Sequence, residues 1–572
     1  MKLRKMLSVV AFIACIAGCC SCANGGKDGD VMEEWKGGKV IVSEYAQTYR
    51  LEEGLLVNPP TVVCDVDSKE TLDRMRSASW TPSNAIFRFS KNYNVLSADG
   101  KKLDSFANIY DNICKGKIIP VLYLQDEDCA DAAIAFMTER MEISDLAVMA
   151  SQPALVKKVR TAFPKIRGIL SYDALESAEG VAQTANEALA ATVVLPQSAA
   201  SAENVRYIQA RFKTVWVKAE SAGDLDLYDC LGSGAYGVIC SEFGKAYSLM
   251  ADCAKGVLRT PFNAAHRGLP ATHHENSVSG AVAAANAGAT HIELDAHLSK
   301  DNHIVMMHNS NISATTNGKG EIAEMTLEEI RQYKLNRKGA EEDIPTLPEI
   351  IDAIKDSDCV LIFESKAGNN AIIDELKKVI EEKQFEDRIV VISFAENIIR
   401  KMSETLPNIP TALLANNMTE GSIERWTALN TGIDVNSAVM TEEFEHFYKD
   451  RGMIGWYWTF DSAGQTLDTA YEGYVGLTNN AADKFVSASG EEAIMLVKPL
   501  ASYAAVSALE EGGKVQLTGV TYKGNEKTVT GTVRFVAEEN GKFAVVATCD
   551  TNKDSAVYAP RLYTQVFYIE KE

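Results

Sequence analysis

Sixteen short apolar, β-branched runs alternate with helical stretches along this chain, and no other feature limits its folds as strongly. Strand-sized runs separated by helix-sized segments are the βα pattern of a parallel sheet. Eight runs begin at residue 262: FNAAH, HIELDA, CVLIFES, IVVISF, PTALLA, GIDVNS, GWYWTF and YVGLT. Eight βα units over roughly 220 residues is the size of a (β/α)8 barrel. The first half carries eight more at similar spacing, from TVVCDV at 61 to YGVICS at 236. Local resemblances between the halves, such as PALVKKVRTAFPKIRGILSY beside ENIIRKMSETLPNIPTALLA, point to a repeat. Thr326-Leu-Glu-Glu329 and Thr346-Leu-Pro-Glu349 have the spacing of helix-starting capping boxes. The expected architecture is α/β: tandem (β/α)8 TIM-type barrels at 36–258 and 259–487. From 488 to 572 the pattern changes to alternating strands broken by EEGG, KGNE and EENGK, which predicts a small antiparallel, sandwich-like β domain.

The remaining composition narrows the partners. A net charge of −21 without a basic patch excludes nucleic acid. Met1–Lys5 is basic and Met6–Ala17 apolar, but shorter than the ~20 residues a membrane span needs. Ile16-Ala17-Gly18-Cys19 resembles the lipobox of bacterial lipoproteins. That resemblance implies a signal peptide over 1–18, lipidation of Cys19 (or of neighbouring Cys20 or Cys22), a tether over 19–35, and a lipid-anchored place in the bacterial cell envelope. The cysteines beyond residue 60 form no CxxC pair, so a structural zinc site is disfavoured.

Chemistry concentrates in one stretch. Seven of the eight histidines fall between His266 and His308. Glu293 and Asp295 stand two apart on a predicted strand, so both leave the same face; a hard divalent cation, Ca2+ or Mg2+, would relieve their repulsion. His266-Arg267-Gly268 ends one strand, Glu275-Asn276-Ser277 follows, then Ser299-Lys300-Asp301 and His308, and Phe363-Glu364-Ser365-Lys366 ends another strand.

This ordered set resembles the glycerophosphodiester phosphodiesterase family, whose pattern runs HRG, PENT, E-x-D, T-K-D-G, HD and E-x-K. The resemblance covers about 262–485. It implies that Glu293, Asp295 and Glu364 hold a divalent cation, and that His266 and His308 act as general acid and base. It further implies that Arg267 and Lys366 grip the phosphate, with Glu275 and Asn276 behind them. The expected reaction releases glycerol 3-phosphate from a glycerophosphodiester; a related cleavage ending at a cyclic phosphate, and a non-catalytic binding protein, are the competing readings. Asn309 stands where the family usually has Asp, and Thr478-Asn479-Asn480 replaces a usual T-D. His297 continues the Glu293–Asp295 face; His273, His274, His291 and His303 are expected at the surface or in loops, His446 is expected to be solvated, and Trp456 and Trp458 are expected in the core. In the first half VVCDVDS stands against AAHRG, IFRFS against IELDA, and Tyr123-Leu124 against Phe363-Glu364, with no histidine before His266. A degenerate, catalytically silent barrel is expected there.

Overall fold

The computed structural model describes residues 45–51, 56–140, 145–253, 256–366, 368–487, 493–551 and 561–572. The expected signal peptide, tether and Cys19 lie outside the described residues, and no described helix is long and apolar enough to cross a membrane.

All sixteen expected runs are strands. Those of the first barrel are β1 (Thr61–Asp65), β2 (Asn84–Phe89), β3 (Ile119–Tyr123), β4 (Ala147–Ala150), β5 (Arg167–Ser171), β6 (Thr192–Pro196), β7 (Thr214–Lys218) and β8 (Gly237–Cys240). They pair in parallel, and β8 and β2 both pair with β1, so the sheet closes. The second barrel repeats this with β9 (Phe262–His266), β10 (His291–Leu298), β11 (Val360–Ser365), β12 (Ile389–Ser393), β13 (Thr411–Ala415), β14 (Gly432–Asn436), β15 (Gly455–Phe460) and β16 (Gly476–Asn479), closed by β9 pairing with both β10 and β16. Both expected capping boxes are formed, at Thr326–Glu329 and Thr346–Glu349.

Side-chain alternation sorts each barrel into two layers. Ile292, Leu294 and Phe363 point outward into a core shared with the helices, whereas Ile362 and Val390 point into the lumen. That lumen is not closed off at its N-terminal end. Phe262, Val360 and Trp456 form one continuous core with Val63, Ile169 and Trp216 of the first barrel. Polar contacts follow the same seam: Thr61 Oγ1 donates to Asp450 Oδ1 at 2.7 Å, and Thr192 and Thr214 donate to the Gly452 carbonyl at 2.9 and 2.8 Å. The two barrels therefore stand floor to floor, and their C-terminal mouths open at opposite ends.

Two histidines differ from expectation because of this seam. His291 is fully buried, packs edge-on against Trp456 with ring centroids 4.6 Å apart, and hydrogen-bonds the Ala210 carbonyl at 2.7 Å. His446 is not solvated: its Nε2 lies 3.2 Å from Asp450 and 3.3 Å from Thr48 Oγ1.

The last strands are β17 (Ile494–Pro499), β18 (Lys514–Thr521), β19 (Glu526–Glu539), β20 (Lys542–Asp550), β21 (Arg561–Tyr563) and β22 (Phe567–Glu570). They are antiparallel, but they build one hydrogen-bonded sheet rather than the expected sandwich of two. Gly256–Val257 and Leu56–Val57, from the two ends of the first barrel, extend that sheet in parallel. The long β19 and β20 take up the length a second layer would need, and linkers from elsewhere in the chain complete the edge.

Candidate active site

The second barrel's mouth is assembled by strand ends. On β10 the alternation turns Glu293 and Asp295 inward, and register places Glu364 of β11 beside Asp295. All three are buried, and their carboxylate oxygens lie within 4.8 Å of one another. Glu293 Oε1 is buried without a hydrogen-bond partner, an arrangement that is costly unless another group satisfies it. Three crowded carboxylates offering only oxygen fit a hard divalent cation.

Their protonation shows the strain of that crowding. Burial, and then the neighbouring Asp295 and Glu364, push the Glu293 carboxyl well above the usual range. Burial and Asp295 raise Glu364 to about 7. Burial would raise Asp295 too, but Lys366 and Arg267 outweigh it and hold it at about 2.

Arg267 and Lys366 bracket this centre. Lys366 Nζ lies 2.8 Å from Glu364 and 3.3 Å from Asp295. Arg267 Nε is 3.4 Å from Asp295, its Nη1 is 3.2 Å from Glu275, and its main-chain N–H donates to Glu293 at 3.0 Å. Arg267 adopts a positive φ of 52°, a conformation disfavoured for side chains with a Cβ. Gly268 follows at φ 81°, and a Cβ there would stand 2.9 Å from the backbone of Gly280 in the helix Val278–Ala287. That close approach explains the glycine. Asn276 binds Asp295 twice: its Nδ2 donates at 2.9 Å, and its Oδ1 accepts the Asp295 main-chain N–H at 2.8 Å.

His266 and His308 share one device. His266 Nδ1 lies 2.7 Å from Asn480 Oδ1, and His308 Nδ1 lies 2.7 Å from Asn309 Oδ1. An amide oxygen only accepts, so each Nδ1 carries the hydrogen and each Nε2 keeps its lone pair. His266 Nε2 is 3.9 Å from Glu293. Burial and then Arg267 lower His266 to about 4. Burial also lowers His308, which is half-buried.

The structure thus brings His266, Arg267, Glu275, Asn276, Glu293, Asp295, His308, Glu364 and Lys366 to one mouth. His297 supports it indirectly, its Nε2 lying 3.0 Å from the His308 carbonyl. His274 lies in a loop but is buried there, and it bridges Lys338 N and the Ala340 carbonyl at 3.1 and 3.0 Å. His273 pairs with Thr272, and His303 is exposed beside Asp301. Trp456 is buried, as expected, but Trp458 is only partly so and meets exposed Phe394 edge-on at 5.5 Å. Sequence reasoning missed Asp434 on β14, whose carboxyl burial and Glu364 raise well above the usual range. Its signal was an acid at an inward position of GIDVN. A cleft of about 640 Å3, lined by His266, Arg267, Glu275, Asp461, Asn480 and Lys484, opens beside the centre.

A closed (β/α)8 barrel with a buried carboxylate trio at its C-terminal mouth, flanked by two cationic side chains, defines a class of barrel with a metal-capable, anion-facing centre. Residues 266–494 match the model of the glycerophosphoryl diester phosphodiesterase family. Over 157 residues, 26% of this chain, it is 37% identical to a glycerophosphodiester phosphodiesterase of Caldanaerobacter subterraneus subsp. tengcongensis, covering 65% of that protein. It is 33% identical, also over 157 residues and 26% of this chain, to glycerophosphodiester phosphodiesterase 1 of Bos taurus, covering 47% of it. The match thus spans less than two thirds of these relatives' own lengths. Among solved structures, an Oleispira antarctica phosphodiesterase in complex with the product sn-glycerol-3-phosphate is 23% identical; the match covers 41% of this chain and 98% of that one, with a TM-score of 0.38.

Proposed function

We propose that the second barrel cleaves glycerophosphodiesters, the deacylated headgroup forms of phospholipids, to glycerol 3-phosphate and an alcohol, and that the first barrel is catalytically silent. The carrying observation is the meeting, at one mouth, of three buried carboxylates, two cationic side chains and two histidines with an available Nε2. The names of the relatives matched over this barrel support the same substrate class.

Glu293, Asp295 and Glu364 would hold Ca2+ or Mg2+, which when bound neutralises charge on the phosphate's non-bridging oxygens. Arg267 and Lys366 orient the diester between them, the guanidinium offering a planar pair of donors. One histidine takes a proton at Nε2 from the attacking water, whose oxygen joins phosphorus, and the other returns one to the leaving alkoxide oxygen, so that one water is consumed per diester. Asn480 and Asn309 keep both rings in the tautomer this exchange needs.

The test is release of glycerol 3-phosphate from a panel of glycerophosphodiesters, with Ca2+, with Mg2+ and with EDTA, beside His266→Ala. Metal-dependent turnover lost in the variant is the expected result; no turnover by folded, metal-loaded protein would sink the reading. We further propose that lipidation at Cys19 anchors the chain in the bacterial envelope. Metabolic labelling with radioactive palmitate should mark the wild-type protein and leave Cys19→Ser unlabelled.

A further inference from the structure

The first barrel has a mouth of its own, and its chemistry is the reverse of the second's. Strand register shows how the two correspond. Asp65 pairs with Ile86 as His266 pairs with Glu293, and Arg88 pairs with Tyr123 as Asp295 pairs with Glu364. Ile86, Arg88 and Tyr123 therefore occupy the strand positions of the carboxylate trio. A cation-holding arrangement is gone, and a guanidinium stands where its central carboxylate would be.

These residues surround a cavity of about 160 Å3. Its deep floor is apolar, formed by Ile86, Met149, Val194 and Ile239. Above the floor, Arg88 grips Asp65 with Nη1 and Nη2 at 2.8 and 3.1 Å, while Lys218 Nζ reaches the same carboxylate at 3.0 Å. Two cations thus share one carboxylate, which they hold ionised, and the inner cavity carries one positive charge in excess. Asp173, the other acid of the lining, is exposed at the rim. A pair closing the barrel for stability alone needs one cation; Lys218, half exposed, is surplus to it. Arg88 makes three hydrogen bonds among the described residues, to Asp65 twice and to the Val66 carbonyl, and a guanidinium has five N–H donors. At ~30 Å3 per water, the cavity has room for about five waters, enough for an oxyanion and a short arm.

We propose that this mouth is a second, metal-independent binding site for a small organic oxyanion bearing one negative charge, a phosphodiester or a carboxylate. Its charged group is held by Arg88 and Lys218, and its short organic arm lies on the apolar floor. An Arg–Lys pair over a low-dielectric floor recognises such an oxyanion through charge-assisted hydrogen bonds. The site binds without cleaving, since no histidine precedes His266 and no carboxylate trio stands at this mouth among the described residues.

The test labels methionine methyl groups of the full protein with 13C and follows Met149, assigned through Met149→Leu. In EDTA, which leaves this mouth intact, the protein is titrated with glycerophosphoglycerol, with lactate, and with uncharged glycerol. A saturable shift of Met149 with either anion, absent with glycerol, is expected; which anion saturates identifies phosphodiester or carboxylate as the ligand. Lys218→Ala should weaken binding at least tenfold, and Arg88→Gln should abolish it. If Arg88→Gln fails to fold, Lys218→Ala decides, because that side chain is half exposed. No saturable shift with either anion, an equal shift with glycerol, or binding untouched by Lys218→Ala would overturn the proposal.

Discussion

His266 and His308 each lose one ring nitrogen to an asparagine, and that partner sets how readily they charge. A neutral amide orients the ring without stabilising the imidazolium, whereas a carboxylate in its place does both. Asn309→Asp is therefore expected to raise the His308 pKa by about 1 unit or more and move one limb of the pH–rate profile to higher pH. An unmoved profile, with activity retained, would show that His308 exchanges no proton in the rate-limiting step. Glu293 offers a second prediction at the same scale. Burial and the neighbouring Asp295 and Glu364 push its carboxyl well above the usual range in the metal-free fold, while the unfolded chain ionises it normally, so folding is penalised above the ordinary carboxyl pKa. Glu293→Gln should abolish turnover yet raise the melting temperature of EDTA-treated protein at pH 7. The gain should fade as pH falls toward the ordinary carboxyl pKa of about 4.3, where the unfolded chain is protonated as well. Differential scanning calorimetry at both pH values reads this directly.

Elements matter through the face they present. Comparing IFRFS with IELDA residue by residue puts Phe87 opposite Glu293; hydrogen-bonded register instead puts Ile86 there, because Phe87 faces the helices and Ile86 the lumen. A one-residue slip exchanges the two faces of a strand, so letter matching hid the Arg88 position. The turn after helix Glu442–Asp450 shows a second effect of placement. It drives Arg451 into the first barrel's floor, where Asp145 accepts from Arg451 at 2.5 Å and lies 2.7 Å from Arg167. All three are buried. Arg451→Met leaves Asp145 short of a partner and should cost about 3–5 kcal/mol, read as a lower urea midpoint. Burial alone would raise the Asp145 carboxyl, but the two guanidiniums outweigh it and hold it below the usual range. A depressed carboxyl stabilises the fold above its unfolded value of about 3.9 and loses that contribution as pH falls through the folded value. Acid unfolding of the wild type should therefore set in below about pH 4, and Asp145→Asn should flatten that part of the stability curve.

At the scale of the molecule, the floor-to-floor core makes the barrels interdependent. Val40–Glu572 holds together as one compact unit. Removing the first barrel would bare Phe262, Val360 and Trp456, and the two aromatic side chains alone each bury about 150–250 Å2. Residues 259–487 expressed alone should aggregate or bind a hydrophobic dye, whereas a chain retaining both barrels should elute as a folded species. A well-folded, active isolated second barrel would refute the shared core as a requirement for stability.

Much of this was legible in the chain, for a local reason. Alternation with period two, capping boxes and the order of HRG, E-x-D and E-x-K are properties of neighbouring residues, so the sixteen strands and the cluster of acids and histidines could be read without a fold. Three-dimensional packing decided the rest. That His291 is buried rather than loose, that Asn480 holds His266, that Glu364 raises the Asp434 carboxyl, and that Arg88 replaces Asp295 all depend on strands far apart in sequence. Register and the contact between two barrel floors are set by the summed burial of residues hundreds of positions apart, and no local pattern encodes that sum.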